Sequence, residues 1–340
     1  MEKRQSISAG QTSTPLVSVV LCTYNGEKYL REQLESVVHQ TYSLHEIIIQ
    51  DDGSTDRTMQ IAEEFAASFD NIVVKLNTHE HGVNGNFFSA MRSATGEFIA
   101  ICDQDDVWEA DKIRFQVEAI GDKLMCACHS KPFADDGSFA HYDQRIPNIG
   151  LNRLIFCNEI PGHTMLIHRR LLDLLPFGNC DAVFQNRMYD VILAITAAAY
   201  DSITYLNQVL VHQRRYQEAT TYTDYSKSLP SFSNALSLIM WSMRYYHKMK
   251  TVSRDRFAAI KDFIEHLSPR TETCSEGIRF MELQVSRRFI DFIRLERMCV
   301  THRSEIFHTR GKDPMNIIRA MLFPYTSLNY CSFLLHRSDK

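Results

Sequence analysis

The first hundred residues alternate between continuous apolar runs and stretches in which apolar residues recur every three to four positions. VSVVLC, residues 17–22, is an unbroken apolar run of the kind found in a strand buried on both faces. In EKYLREQLESVVHQ, residues 27–40, the apolar positions follow helical spacing. Strands and helices that alternate at this rhythm predict βαβ units and a mostly parallel sheet flanked by helices, an α/β fold.

The same patterns predict the remaining elements and the domain organisation. The predicted strands are residues 17–22, 46–50, 72–76, 97–102 and 164–167. The predicted helical segments are residues 27–40, 56–66, 87–94, 112–120, 171–175, 187–200, 233–250, 252–267, 276–308 and 314–336. We therefore expect a polar, disordered lead at 1–14, an α/β domain at 15–225 and a mainly helical C-terminal extension at 226–340.

Polar turns follow three of the predicted strands. Tyr24-Asn25-Gly26 follows the first strand, the sequence DDGS at 51–54 follows the second, and DQDD at 103–106 follows the fourth. Right-handed crossovers bring the carboxyl ends of parallel strands to one edge of the sheet, where open α/β sheets bind ligands. We expect the three turns to converge there.

The DQDD turn concentrates negative charge at the end of a buried strand. Two unit charges ~4 Å apart repel by about 1 kcal/mol in water and about 4 kcal/mol at an effective dielectric near 20. A solvated turn that caps the following helix is one interpretation. The favoured one is an incomplete carboxylate shell for Mg²⁺ or Mn²⁺, completed by the phosphate oxygens of a nucleoside diphosphate.

Charge and cysteine usage limit the setting in which the protein works. Residues 1–243 hold 19 basic and 30 acidic residues, net −11, whereas residues 244–340 hold 18 and 11, net +7. The basic C-terminal region suggests an anionic neighbour, either a membrane surface or an acidic partner. Nucleic acid is the weaker interpretation, because the lysines and arginines are spaced along the predicted helices and are not clustered. Nine cysteines without a C-x-x-C pair fit free thiols in a reducing cytoplasm.

Three segments in this order, VSVVLCTYNGEKYL, EIIIQDDGSTD and FIAICDQDDVW, resemble an inverting family 2 glycosyltransferase with the GT-A fold. The DQDD-x-W form is most similar to the rhamnosyltransferase-like bacterial subgroup. The resemblance covers residues 15–216 and implies a dTDP- or UDP-sugar donor, Mg²⁺ or Mn²⁺, and a glycan or lipid-linked glycan acceptor. Such an enzyme would work in the cytoplasm, with peripheral contact at the inner face of the cell membrane through its basic C-terminal region.

The resemblance also implies roles for individual residues. It implies that Asp105 and Asp103 hold the metal, with Asp105 as the direct ligand and Asp103 closer to the ribose than Asp105. Positions matching the donor-nucleotide side are Cys22, Tyr24, Asp51, Asp52, Asn86, Asp103 and Arg214. Those matching the acceptor-side loop are Gly162, His163 and Thr164.

Inverting transfer also needs a base for the acceptor hydroxyl. The resemblance implies Asp190 at a helix start, with Asp181 as a spare candidate; the alternative is an acid that merely favours the helix dipole. The chain departs from the family at Tyr216, which stands where a histidine approaches the metal or diphosphate. Tyr216, His212 or Arg215 then substitutes for that histidine, or the site is weakened.

Two other functions remain open at the sequence level. A sugar nucleotidyltransferase also places acids on a doubly wound sheet, but the turn after the first strand lacks the glycine-rich basic loop expected of that class. A non-catalytic nucleotide- or glycan-binding relic is suggested by Tyr216. For the C-terminal helices, packing on the catalytic domain is an explanation at least as good as contact with a membrane.

Overall fold

The structure is a computed structural model that describes residues 14–137, 142, 144–216, 232–307 and 315–328. Residues 1–13 of the predicted lead and the predicted domain junction at 225–226 lie outside the described residues. Within the described ranges, no helix combines the length and the apolar character that crossing a membrane requires.

An eight-stranded sheet forms the centre of the fold. Its strands are β1 (Val17–Thr23), β2 (Glu46–Asp51), β3 (Ile72–Leu76), β4 (Phe98–Cys102), β5 (Val107–Trp108), β6 (Met125–Phe133), β7 (Leu166–His168) and β8 (Ile203–Arg214). The spatial order is β3-β2-β1-β4-β7-β6-β8-β5, and only β7 and β5 run antiparallel to their neighbours. The predicted mostly parallel α/β sheet is confirmed, although the sequence analysis did not identify β5, β6 and β8.

Helices cover the sheet and continue into the C-terminal region. They are α1 (Leu30–Val38), α2 (Thr58–Ala66), α3 (Val83–Ser93), α4 (Lys112–Ile120), α5 (Leu151–Leu154), α6 (Arg170–Asp173), α7 (Asp181–Asn186), α8 (Tyr189–Ala199), α9 (Phe232–Glu265), α10 (Glu272–Val285), α11 (Phe289–Thr301), α12 (Arg303–Ile306) and α13 (Met315–Thr326). A short 3₁₀ helix spans Gly162–Thr164.

Two predicted helix boundaries in the C-terminal region are wrong. The segments predicted at 233–250 and 252–267 form the single helix α9, because no glycine or proline interrupts them. The segment predicted at 276–308 is three helices, and α10 starts earlier, at Glu272. Thr271 caps that start by accepting a hydrogen bond from the backbone N–H of Cys274 at 2.9 Å.

The first strand is buried on both faces, as its unbroken apolar run predicts. Val20 and Cys22 belong to the core on one side of the sheet, whereas Val19 and Leu21 belong to the core on the other. Strands β2 and β4 lie on either side of β1, with Thr23 opposite Asp51 and Leu21 opposite Cys102. The three polar turns therefore leave the sheet side by side.

The C-terminal helices share a core with the sheet. The ring of Phe156, next to α5, contacts Phe257, Phe280 and Phe323 at centroid distances of 5.7, 5.4 and 4.9 Å. The hydroxyl of Thr271 donates to the carbonyl of Ala199, at the end of α8, at 2.6 Å. The helical extension therefore packs against α8, the helix that carries Asp190, and stabilises its position.

Candidate active site

A cavity of about 580 Å³ opens at the carboxyl edge of the sheet. Its walls come from the turns after β1, β2 and β4, the start of α3, the 3₁₀ helix, the start of α8 and the end of β8. The sequence-predicted residues that line it are Cys22, Tyr24, Asp52, Asn86, Asp103, Asp105, Gly162, His163, Asp190 and Arg214. Asp51 and Thr164 do not line it and are fully buried.

Asp51 organises the turn after β2. Its carboxylate accepts hydrogen bonds from the Thr23 hydroxyl at 2.8 Å and from the backbone N–H groups of Gly53 and Ser54 at 3.0 and 2.7 Å. These bonds tie the ends of β1 and β2 together. Asp51 therefore stabilises this turn without lining the cavity, whereas the adjoining Asp52 lines it.

Asp52 is held as an ionised acceptor. Its carboxylate accepts hydrogen bonds from Asn77 Nδ2 at 2.7 Å, His81 Nδ1 at 2.9 Å and the backbone N–H of Gly82 at 2.7 Å. Burial raises the pKa of Asp52, but these three donors together bring the pKa below its ordinary value. The sequence analysis did not identify His81 and Gly82, which belong to the turn before α3.

Gln104 joins the first and third turns. Its Oε1 accepts from the backbone N–H of Tyr24 at 2.9 Å, and its Nε2 donates to the carbonyl of Tyr24 at 3.1 Å. A Cβ at Gly26 would lie 2.3 Å from the same Oε1, so this pairing requires glycine there. Tyr24 itself is 58% exposed at the mouth of the cavity, and Cys22 lies buried below it.

Asn86, at the start of α3, is almost fully buried in the cavity wall. Its Nδ2 donates to the carbonyl of Gln50 at 3.2 Å, and its Oδ1 accepts from Gln50 Nε2 at 3.0 Å. This paired arrangement anchors α3 to the end of β2. The helix start, with Gly82 and Val83, therefore keeps a fixed position in the cavity wall.

Asp103, Asp106 and His163 form a compact cluster at the end of β4. Nδ1 of His163 lies 3.3 Å from Asp103 Oδ2 and 3.4 Å from Asp106 Oδ2, and its Nε2 lies 2.9 Å from the hydroxyl of Ser130. Oδ2 of Asp106 is buried and has no hydrogen-bond partner among the described residues. The three side chains offer ligand atoms that all lie within 4.8 Å of one another.

The charges within this cluster perturb one another. Burial raises the pKa of Asp106 to about 7, although the nearby His163 opposes the shift. Burial lowers the pKa of His163, but Asp106 and Asp103 raise it above the ordinary value overall. Two carboxylates and one imidazole therefore already balance part of their charge before any cation binds.

Asp105 points to a different partner. Its Oδ2 accepts a short hydrogen bond from the hydroxyl of Tyr216, and burial, followed by the charge of Asp103, raises its pKa. Asp105 belongs to no three-residue cluster of metal-ligand atoms among the described residues. The predicted role of Asp105 as direct metal ligand stays a prediction.

Arg214 lies beneath the DQDD turn with its guanidinium already engaged. It donates to the carboxylates of Glu32 and Asp135 and to the carbonyl of Asp105, the last at 3.0 Å. Its backbone N–H donates to Asp106 Oδ1 at 3.0 Å. In this structure Arg214 braces the acidic turn, and its predicted contact with a diphosphate stays a prediction.

His212, which the sequence analysis considers as a substitute for the family histidine, is not part of the cluster of acids at the DQDD turn. Its Nε2 lies 2.6 Å from Glu109, and it does not line the cavity. Arg215 and Tyr216 do line it.

Asp190 lies in the first turn of α8 and lines the same cavity as the DQDD turn. Its Oδ2 accepts from Asn158 Nδ2 at 3.2 Å, and its Oδ1 accepts from the backbone N–H of Val191 at 2.7 Å. Burial, with a contribution from the charge of Asp103, raises its pKa to about 6. The spare candidate, Asp181, is exposed at the start of α7 and does not line the cavity.

The 3₁₀ helix and α8 meet through Gly162 and Tyr189. A Cβ at Gly162 would lie 2.1 Å from the hydroxyl oxygen of Tyr189, so only glycine fits. The ring of Tyr189 stacks on Phe87 at a centroid distance of 4.1 Å. Asn84 Oδ1 accepts from the backbone N–H of Tyr189 at 2.8 Å and so fixes the start of the helix that carries Asp190.

The position of His163 beside the acids could not be read from the linear sequence. It depends on β7, which pairs antiparallel to β4 with Ala100 opposite Leu166. Continuing this register places residue 163 opposite residue 103. The sequence analysis predicted the strand near 164–167 but not its partner, so His163 was predicted only as part of an acceptor-side loop.

Comparisons with known proteins identify the family. The sequence profile described as glycosyl transferase family 2 matches residues 18–193, just over half of the chain. The chain is 37% identical over 126 residues to a putative glycosyltransferase, EpsH, of Bacillus subtilis, covering 36% of each protein. It is 36% identical over 105 residues to the dTDP-rhamnosyl transferase RfbG of Shigella flexneri, covering 29% of this chain and 36% of that protein.

A third relative is the Escherichia coli enzyme WfgD, named as a UDP-Glc:α-D-GlcNAc-diphosphoundecaprenol β-1,3-glucosyltransferase. The chain is 38% identical to it over 104 residues, which cover 30% of this chain and 40% of that enzyme. The chain thus spans two fifths or less of the length of these three relatives. Residues 1–349 of Staphylococcus aureus TarS, solved with UDP-GlcNAc, share the fold at a TM-score of 0.52 and 15% identity, covering 94% of this chain and 92% of that one. Together with the profile match, the fold and the cavity agree that this chain belongs to glycosyltransferase family 2.

Proposed function

We propose that the protein is a metal-dependent, inverting glycosyltransferase of cell-surface polysaccharide synthesis. It would move a sugar such as rhamnose or a hexose from a dTDP- or UDP-sugar to a glycan or lipid-linked glycan. The observation that carries the proposal is a single cavity that is lined both by the acids of the DQDD turn and by Asp190, whose pKa is raised. The activities named for RfbG and WfgD support both donor classes, and that of WfgD supports a lipid-linked acceptor.

Asp190 would act as the base. It takes the proton from an acceptor hydroxyl, whose oxygen forms a bond to the anomeric carbon of the donor as the bond to the diphosphate oxygen breaks on the opposite face. A base works best when its pKa lies near the operating pH, and the pKa of about 6 for Asp190 meets that condition better than an ordinary aspartate does. At the nucleoside end, the ionised Asp52 would accept a hydrogen bond from the base or the ribose.

The cluster at the end of β4 has the composition expected of a divalent-cation site. Asp106 Oδ2 is buried without a hydrogen-bond partner among the described residues, and the two carboxylates suit Mg²⁺ or Mn²⁺. Asp103 and Asp106 would hold the ion, with His163 within reach of the same position. A bound cation would offset the negative charge that develops on the departing diphosphate.

The test is donor hydrolysis followed by proton NMR. The protein with Mn²⁺ is incubated with UDP-glucose and, separately, with dTDP-rhamnose, and the first-formed anomer of the free sugar is recorded. Inversion predicts a first-formed anomer opposite to that of the donor, and retention would overturn the mechanism. Asp190→Asn should lose turnover, while Asp181→Asn, a matched change outside the cavity, should keep it.

The non-catalytic alternative rests on the Tyr216–Asp105 hydrogen bond. It predicts that nucleotides raise the melting temperature while no donor is turned over under any metal condition. Family membership argues against the sugar nucleotidyltransferase alternative. A cytoplasmic location is part of the proposal, and the eight cysteines among the described residues are all unpaired thiols, in keeping with it.

A further inference from the structure

Exposed apolar side chains concentrate on the C-terminal helices. Of the eighteen large apolar side chains exposed among the described residues, eleven lie on three helices, so these helices carry an unusual share of the apolar surface. They are Leu236, Leu238, Met240 and Met243 of α9, Phe289, Ile290 and Ile293 of α11, and Met315, Ile317, Ile318 and Met321 of α13. The most exposed is Phe289, at 78%.

A pocket of about 660 Å³ lies among the same three helices. One lysine and three arginines line it, Lys250, Arg254, Arg287 and Arg288, together with His247. No acidic residue is among the described residues that line it. The nearest acid on α11, Asp291, is occupied by the hydroxyl of Ser286 at 2.7 Å and by Arg294 at 2.9 Å.

Apolar and basic groups line this pocket together. On α9, Met243, Lys250 and Arg254 all line the pocket and follow one another at helical spacing, apolar first and basic after. On α11, Arg288 and Phe289 both line it, and the exposed Ile293 follows Phe289 by one helical turn. We call the surface formed by these groups the basic-apolar face; its residues are Met243, Lys250, Arg254, Arg287, Arg288, Phe289 and Ile293.

A neighbouring pocket shows that this excess of positive charge is local. The cavity of about 750 Å³ between α10 and α11 is lined by three arginines and two glutamates. Its histidine, His302, pairs with Glu276 at 2.8 Å. Charge there is nearly balanced. Among the described residues that line the other pocket there are cations and no acids, beside the exposed ring of Phe289, although Asp291 lies near enough to act on Lys250.

We propose that the basic-apolar face docks the protein on an anionic lipid membrane. Lipid phosphates would enter the pocket and pair with Lys250, Arg254, Arg287 and Arg288, while Phe289 and its apolar neighbours enter the boundary between head groups and acyl chains. Cations beside exposed apolar groups suit this interface, because both the charge of anionic lipids and the hydrocarbon edge are then matched. A nucleic acid would match the cations but leave the apolar groups in water. The inference is independent of the transfer reaction and of its mechanism.

The test is flotation of the full-length chain with vesicles of phosphatidylglycerol and phosphatidylcholine in equal parts, against vesicles of phosphatidylcholine alone. The wild type should float only with the anionic vesicles, and less so at high salt. The variant Arg287→Glu/Arg288→Glu should weaken binding by about tenfold or more. The matched control, Arg279→Glu/Arg297→Glu, changes net charge equally on the neighbouring pocket and should keep most of the binding.

The apolar half of the face is tested by Phe289→Ser/Ile293→Ser, which should lower the binding that persists at high salt. Thermal unfolding and donor hydrolysis without vesicles check that each variant is folded, and neither is expected to change. Equal losses in the two charge variants, or no flotation of the wild type, would overturn the proposal. So would a wild-type dimer in light scattering that Phe289→Ser/Ile293→Ser dissociates, since a second copy would then cover the face.

Discussion

Tyr216 donates its phenolic hydrogen to Oδ2 of Asp105, the third residue of the DQDD turn. Burial and the adjacent carboxylate of Asp105 raise the pKa of Tyr216, so the phenol stays protonated and keeps the role of donor. The bond occupies an oxygen that the resemblance assigns to the metal. The resemblance aligns Tyr216 with a histidine of the family. On that alignment, a side chain that can bind a metal is replaced by one that donates a hydrogen bond to its partner acid.

Tyr216→Phe removes that donor and leaves Asp105 buried without it. We expect the free energy of unfolding to fall by ~1–3 kcal/mol in metal-free buffer, since an unsatisfied buried acid costs about that much. If Asp105 is also a metal ligand, as the resemblance implies, saturating Mn²⁺ should reduce the difference; an ion held by Asp103 and Asp106 alone should leave the difference unchanged. Denaturant unfolding with and without Mn²⁺ measures both quantities. Tyr216→His restores the family residue and should bind Mn²⁺ more tightly than Tyr216→Phe; equal affinities would show that this position does not contact the metal.

Asp190 should set the acidic side of the pH profile. Its pKa is raised to about 6, and the base must be deprotonated, so the rate should rise as pH increases through about 6 and then level off. Asp190→Asn should lower kcat by ~10²–10⁴-fold and remove this rise from the residual rate. Asp181→Asn should leave the profile unchanged. A profile that persists in Asp190→Asn would assign the base elsewhere.

Gly162→Ala tests the contact that positions the start of α8. The new methyl group would lie 2.1 Å from the Tyr189 hydroxyl oxygen and 2.7 Å from the ring carbon that bears it, so the ring must move. We expect a loss of ~1–3 kcal/mol in unfolding free energy, as for other overpacked sites, and lower kcat because Asp190 follows Tyr189. Tyr189→Phe in the same chain should recover part of both losses. Gly150→Ala is the control, since its nearest neighbour is a side-chain oxygen 3.4 Å away.

The sequence was sufficient to predict the first half of the fold because local patterns determine it. The apolar run at β1, the helical spacing in α4 and the turns after β1, β2 and β4 appear in the structure as predicted. The later strands escaped prediction for a physical reason. Half or more of the side chains in β8 are only partly buried, so this strand lacks the continuous apolar run that identifies β1.

The residues of the candidate site also fall into two groups, those that local sequence patterns indicate and those that only the tertiary structure brings together. Asp52 and Asp103 are identified as candidates because each directly follows a strand that the pattern predicts, whereas Asp190 lies in the first turn of α8 and is a candidate through the resemblance. Asp106 and His163 required the antiparallel pairing of β7 with β4, which joins residues about sixty positions apart and has no local signal. The engagement of Arg214 by Glu32 and Asp135 brings together the end of β8, helix α1 and the turn after β6, and it has no local signal in the sequence either.

The Gln104 amide provides a test of how the three turns cooperate in nucleotide binding. It makes two hydrogen bonds to the backbone of Tyr24, and Gly26 leaves the space for it. Gln104→Ala should weaken the binding of UDP or dTDP about tenfold, since each bond is worth ~0.5–1.5 kcal/mol and the turn after β1 would lose its support. Gly26→Ala should act through the same amide, because its methyl group would displace Oε1.

The two changes should therefore not add when they are combined, as expected for groups that share one interaction. Isothermal titration calorimetry of the two single variants and the double variant measures the coupling. The matched control is Gln40→Ala, which removes a glutamine that donates to the backbone carbonyls of Ser36 and Glu109 at 3.0 and 2.8 Å outside the cavity. It should lower stability without changing nucleotide affinity. Additive losses for Gly26→Ala and Gln104→Ala would mean that the first and third turns bind the nucleotide independently, and that the amide does not join them.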